Sequence, residues 1–153
     1  MAGQILPWQL TRIKTYTLCV HSDAQTTRAR FMGVMCMTKI DAIKKIEKAL
    51  ETEQARVILP KSMGYQEHIL QLSELLMNQT IEPIRVKVTS TIIEGSDFEK
   101  YKNTKVWAIA KSNDNWLLTL EGIQEFALGF GVNPKSIMMH GCSSSDVLGE
   151  WCA

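Results

Sequence analysis

Residues 38–93 constrain the fold more than any other stretch of the sequence, because they read in order as helix, short strand, helix and long strand. Thr38 has the hydroxyl of a helix N-cap, and Asp41 puts negative charge into the first turn, where the helix dipole favours it. Beyond it, Ala42, Ile43, Ile46, Ala49 and Leu50 share one face while Lys44, Lys45, Glu47, Lys48 and Glu51 look outward, the pattern of a helix laid on a sheet. The run Val57-Ile58-Leu59 is short and uniformly apolar, which predicts a strand over residues 56–59 buried between helices. Residues 60–64 then turn, with Ser62 as the cap of a second helix whose Tyr65, Ile69, Leu72 and Leu76 form a core-facing stripe. Pro83 prevents that helix from continuing. Residues 84–93 alternate as one long strand, with Ile84, Val86, Val88 and Ile92 on one side and Arg85, Lys87, Thr89 and Thr91 on the other.

The flanking segments extend this layout. Residues 1–11, with Pro7 and Trp8, read as an arm, and residues 12–21 and 28–37 as the two strands of a leading β-hairpin. After the long strand come a short charged helix or turn over 97–102, a strand over 106–110 and a polar loop at 112–115. Thr119 is expected to cap a helix with Leu120, Ile123, Phe126, Ala127 and Phe130 inward, stopped by Gly129 and Gly131. A last strand is expected over 136–140, and a tail over 141–153 with one helical turn at 145–151. The sum is an α/β or α+β chain, a single domain over residues 1–153, with a mixed β-sheet, the leading hairpin and about three main helices packed on it.

Composition supports one ordinary domain: 153 residues, 45% hydrophobic and 22% charged, are enough to bury a core without cross-links and exclude disordered and low-complexity classes. Cys19, Cys36, Cys142 and Cys152 have irregular spacing, which favours reduced thiols in a cytoplasm over a disulfide framework. The first residues lack the basic-then-apolar pattern of a secretory signal, and no run approaches the roughly 18 apolar residues of a membrane span. Charge is uneven along the chain, positive over 1–39 and 83–111 and negative over 40–82 and 112–153, which suits an anionic partner on one side, although ordinary solvated surface charge explains it as well.

Four groups of residues are candidates for chemistry. The turn at 60–64 joins a strand to a helix N-terminus, so free amides with Lys61, Ser62 and Gly64 could hold a phosphate or other anion, although the glycine spacing of a dinucleotide or Walker loop is absent. Residues 129–136 contain a Lys-Ser pair, but they follow a helix and precede a strand, the reverse of a phosphate loop. Cys19 with His21 and His140 with Cys142 would present four zinc-ligating groups if the first and last strands were neighbours. Arg12, Lys14, Arg28, Arg30, Arg85 and Lys87 would form a basic ridge toward nucleic-acid phosphates if hairpin and long strand shared a sheet, although a pI near 7.7 is low for a dedicated nucleic-acid binder. The His, Cys, Ser and Asp residues crowded at 140–146 are the types of a nucleophilic triad, whose members normally meet from separate segments.

The order hairpin, helix, short buried strand, helix, strand over residues 12–95 resembles the layout of ribonuclease H-like domains. That resemblance implies a fold and not the nuclease: its chemistry needs clustered carboxylates around two metal ions, of which Asp23 and Asp41 are conceivable members. The end of the central strand carries Pro60, Lys61 and Ser62 instead of an acid, and a third hairpin strand is missing. The expected function is that of a non-catalytic binding protein, an inhibitor, adaptor or regulator without cofactor. Its partner is expected to be a protein or a second copy before nucleic acid, with four Trp and eight Met available for an interaction surface. The alternative is a small enzyme or ligand-binding domain with its anion site at 60–64.

Overall fold

Thr38 sets the first element as its sequence promises. In the computed structural model, which describes residues 36–153, its hydroxyl accepts the Asp41 backbone N–H while the Asp41 carboxylate accepts the Thr38 N–H, a reciprocal cap for α1 (Lys39–Thr52). The described part is α+β. It contains α1, α2 (Tyr65–Asn78), α3 (Ser96–Asn103) and α4 (Val147–Trp151), and strands β1 (Thr80–Val86), β2 (Val88–Thr91), β3 (Val106–Ser112), β4 (Asn115–Leu120), β5 (Phe126–Phe130) and β6 (Ile137–Met139). The strands form one mixed sheet in the order β1-β3-β4-β5-β6-β2, antiparallel throughout except for the parallel pair β2 and β6. The arm over residues 1–11 lies outside the described residues, as does nearly all of the expected hairpin over 12–37.

The expected strand of residues 84–93 is two strands, and the break decides the architecture. Only Lys87 separates β1 from β2, yet β1 is one edge of the sheet and β2 the other. A single residue cannot span a flat six-stranded sheet, so the sheet must roll until its edges meet. Lys87 itself is held on the β6 side, its N–H donating to Pro134 O at 2.8 Å and its carbonyl accepting the Ile137 N–H at 2.9 Å.

Rolling gives the sheet an inside and an outside, each with its own core. Inside lie Val88, Val106, Ala108, Trp116, Leu118, Leu120, Ala127, Ile137 and Met139, closed by Tyr101 and Phe98 of α3. Outside, Trp107, Ile109, Leu117 and Phe126 pack under α1, α2 and α4 through Ala42, Ile46, Ala49, Leu76, Val147 and Leu148. Each Leu or Ile buried in this way contributes about 1.5–3 kcal/mol. The central strands therefore carry apolar residues on both faces, which removes alternation from their sequence.

Three expectations are corrected. Residues 56–59 form no strand: Ile58 is 93% exposed, and the sheet's centre is occupied by β3, β4 and β5. With it goes the central strand on which the likeness to ribonuclease H rested. The helix expected from Thr119 is instead the hairpin of β4 and β5, turned at Gly122 (φ 73). A continuous apolar stretch buried on both faces mimics helical spacing whenever its turn happens to fall at the right interval. Gly129 is not a helix stop but an interior strand residue, and Ser62 is not a cap, since Gly64 occupies that position with no side-chain hydrogen bond. The strand at 136–140, the short helix near 97–102 and the helical turn near 145–151 are present as β6, α3 and α4.

Candidate partner-binding edge

The two edges of this sheet are built very differently. β1 contains Pro83, which cannot donate to a neighbouring strand, and its pairing with β3 shifts register between Thr80 and Ile84. Glu82 accepts the Lys39 backbone N–H at 3.2 Å, which ties the start of α1 to this edge. Arg85 stacks on Trp107 at 4.0 Å from the ring centroid, with Glu121 3.8 Å from its guanidinium. Proline, irregular register and charge are the devices by which edge strands avoid pairing with other chains.

β2 has almost none of them. From Val88 to Ile93 there is no proline and no charge, and the residues are Val, Thr, Ser, Thr, Ile and Ile, mostly strong strand formers. One side pairs with β6; beyond the strand's end the chain bends, and the consecutive residues Ile92 and Ile93 both donate their N–H back to that side, to Met139 O at 3.0 Å and His140 O at 3.2 Å. No strand among the described residues pairs with its other side. Thr89 and Ser90 are exposed, and Ile92 and Ile93 remain 57% and 46% exposed. The apolar surface continues onto β6, where Met138, 39% exposed, lies opposite Ser90 of β2 and Phe130 of β5, with His140 edge-on to Phe130 at 6.4 Å between centroids. The register shift between Val88 and Ser90 explains why Ile92 does not join the buried side that its alternation suggests. What sequence reasoning missed was legible as an uncharged, strand-forming run bracketed by Lys87 and Glu94.

A second feature is a polar cleft of about 570 Å³ between residues 53–56 and the C-terminal segment, lined by Glu53, Arg56, Ser144, Asp146 and Glu150 among others. Asp146 holds its two walls together, accepting the Arg56 backbone N–H at 2.6 Å and capping α4 through the Gly149 N–H at 2.8 Å. Burial pushes the Glu150 carboxyl pKa up, against a hydrogen bond from Ser144 that favours the charged form. Nearby, Ser143 donates its N–H to Asp97 at 3.0 Å and its hydroxyl to Glu125 at 3.3 Å, and Lys100 pairs with Glu125. Tyr101 is wholly buried beside these carboxylates, and burial first, then their charge, raises its phenol pKa. These contacts fasten the segment after β6 to α3. Of the crowded residue types at 140–146, Ser143 is engaged by the Asp97 and Glu125 carboxylates.

The remaining candidates are dispersed. Lys61, Ser62 and Gly64 stand on an exposed turn, without the buried strand expected to lead into it. Arg85 is engaged by Trp107 and Glu121, whereas Lys87 is exposed at the crossing between β1 and β2; Arg12, Lys14, Arg28 and Arg30 lie outside the described residues. Cys19 and His21 also lie outside them. His140 is half-buried against Phe130 and Cys142 is an exposed thiol, and no group of three or more His, Cys, Asp or Glu among the described residues could hold a metal ion. Trp151 is half-buried, packs against the outer core and donates its indole N–H to Gln79 at 3.2 Å, so it closes the core. No helix among the described residues is long and apolar enough to cross a membrane. Comparison with protein-family models, with curated proteins and with solved structures finds no match.

Proposed function

We propose that this chain is a non-catalytic binding protein whose partner is a protein that adds a strand to the side of β2 with which no described strand pairs. The observation that supports this reading is the contrast between the edges: β1 carries Pro83, Glu82 and Arg85, while the six residues from Val88 to Ile93 present an uncharged, partly apolar ledge. The extended part of that ledge is β2 itself, Val88–Thr91, about 13 Å at about 3.3 Å per residue, which seats a short strand. In strand addition the backbone hydrogen bonds supply affinity and the exposed side chains on either face supply selectivity; here those are Ile92 and Met138. Exposed, free Cys142 and Cys152 suit a cytoplasmic setting, where thiols stay reduced.

The test replaces two exposed ledge residues together, Thr89→Lys and Ile92→Lys, which supplies the edge charge that β2 lacks. The wild-type chain is expected to retain an identified protein from host lysate treated with nuclease. Hydrogen exchange of the purified pair should then slow at residues 88–93, and the double variant should lose the partner while its thermal unfolding stays unchanged. Equal retention by wild type and variant, or protection elsewhere with none at 88–93, refutes the reading.

A further inference from the structure

We infer that the polar cleft between residues 53–56 and the C-terminal segment is a binding site for a small linear diamine, whose ammonium groups answer negative charge that the described chain leaves uncompensated. At about 570 Å³ the cleft is within the range that holds small-molecule ligands, and its walls carry Glu53, Asp146 and Glu150 against the single cation Arg56, together with the hydroxyls of Ser144 and Ser145. One guanidinium against three ionised carboxylates leaves two negative charges over. None of these four charged side chains forms an ion pair among the described residues. Asp146 is already committed, its two oxygens accepting the Arg56 and Gly149 backbone N–H groups. Glu53, exposed just after α1, and Glu150 are not committed in this way.

Glu150 carries the argument. It is only 9% exposed, yet it lines the cleft, and the Ser144 hydroxyl is the one hydrogen-bond donor its carboxylate has among the described residues. An ionised carboxylate offers about four lone-pair sites, and a buried charge is ordinarily paired. Burial works against the ionised form and the Asp146 and Asp97 charges add to it, while the Ser144 hydrogen bond and His140 offset only part, so the carboxyl pKa stays raised. Lys100, on α3, is spent on Glu125. The countercharge for Glu150 is therefore left to whatever enters the cleft. An alkylammonium suits it, since its three N–H donors can meet the open lone pairs of Glu150 and the hydroxyls of Ser144 and Ser145. A metal ion does not, because no group of three or more His, Cys, Asp or Glu among the described residues could hold one. An anion would meet three carboxylates, whereas a second ammonium on the same molecule answers Glu53.

Titration calorimetry of the full chain at neutral pH and low salt tests the inference, with 1,4-diaminobutane, 1-aminobutane and 1,4-butanediol as probes and magnesium chloride as a charge-matched control. The diamine is expected to bind saturably and the monoamine severalfold more weakly, with the diol and the magnesium ion well below both. Backbone amide resonances of residues 53–56 and 144–150 should shift as the diamine is added. Glu150→Gln should weaken both amines about tenfold or more. That variant is isosteric and removes a buried charge, so without amine it should melt no lower than wild type, and the rise in melting temperature that the diamine gives wild type should vanish. Glu53→Gln, at an exposed position, should weaken the diamine severalfold and leave the monoamine unchanged, which keeps the test decisive even if Glu150→Gln fails to fold. No saturable binding of the diamine, equal binding of the diol or the magnesium ion, amide shifts confined to other segments, or a diamine affinity indifferent to both variants each overturns the inference. None of these readouts involves β2, so the strand-addition reading stands or falls separately.

Discussion

Gly129→Ala tests the rolled sheet most directly. Gly129 sits in β5 between Trp116 of β4 and Met139 of β6, and its backbone does not need the left-handed region, so alanine is conformationally acceptable there. Space is what alanine lacks. A Cβ built at this position falls 2.7 Å from Ile137 Cγ2 and 2.8 Å from Leu118 Cδ1, about an ångström inside ordinary carbon contact. Both neighbours are fully buried inside the rolled sheet, where Leu118 is surrounded by Ala108, Ala127 and Met139, so neither side chain can swing into solvent. Overpacking of this kind costs about 1–3 kcal/mol, against which the loss of glycine's freedom in the unfolded chain returns about 0.4–1 kcal/mol. The net expectation is a destabilisation of about 1–2 kcal/mol, or a fall in melting temperature of about 2–8 °C for a chain of this size. Urea and thermal unfolding followed by circular dichroism measure it. Ile137→Ala removes the closest methyl, so the double variant Gly129→Ala with Ile137→Ala should be less destabilised than the two singles added together. A neutral or stabilising Gly129→Ala, or strict additivity in the cycle, would show that β5 and β6 are not packed this closely and would refute the geometry.

Two further predictions follow from the elements that hold the sheet's outer face. Lys45 of α1 is half-buried, donates to Leu120 O at 2.7 Å, and has its pKa lowered by burial from 10.5 to about 8, the Glu125 charge acting against that shift. Between about pH 8 and 10.5 the unfolded chain then carries a proton the folded one has lost, so stability rises with pH through this window. Lys45→Met should abolish that rise, measured as the difference between the two proteins in urea unfolding from pH 7.5 to 10; a difference independent of pH sinks the argument. Thr38→Ala removes the side-chain acceptor of the α1 cap and should cost about 1 kcal/mol by urea unfolding, with Thr38→Ser restoring most of it.

Local signals were enough to read some of this protein. The α1 cap at Thr38 and Asp41, the core stripe of α2 through Leu76, the polar turn after Ser112 with Asn113 at φ 52 (though not that it closes a hairpin), and the short α3 and α4 all depend on neighbours within a few residues. For such elements, side-chain capping, helical period and turn chemistry act at short range, and the sequence carries the whole instruction. The mixed sheet of the α+β class was likewise legible from strand-forming runs at 84–93, 106–110 and 136–140, even though one of them proved to be two strands.

What only the tertiary structure decided is which apolar runs are buried and which edges stay open among the described residues. Val57-Ile58-Leu59 and Trp116-Leu117-Leu118 look alike as runs of apolar residues, yet Ile58 is exposed while Leu117 and Leu118 fill opposite faces of the sheet's centre. Burial on both faces erases the alternation that identifies a strand, so the β4–β5 hairpin could pass for a helix until its partners were known. The candidate site has the same origin. The composition of Val88 to Ile93 was visible from the start, but a free edge is a property of what does not lie beside a strand. That followed from Lys87 carrying the chain from one margin of a rolled sheet to the other, a long-range pairing that no local sequence preference encodes.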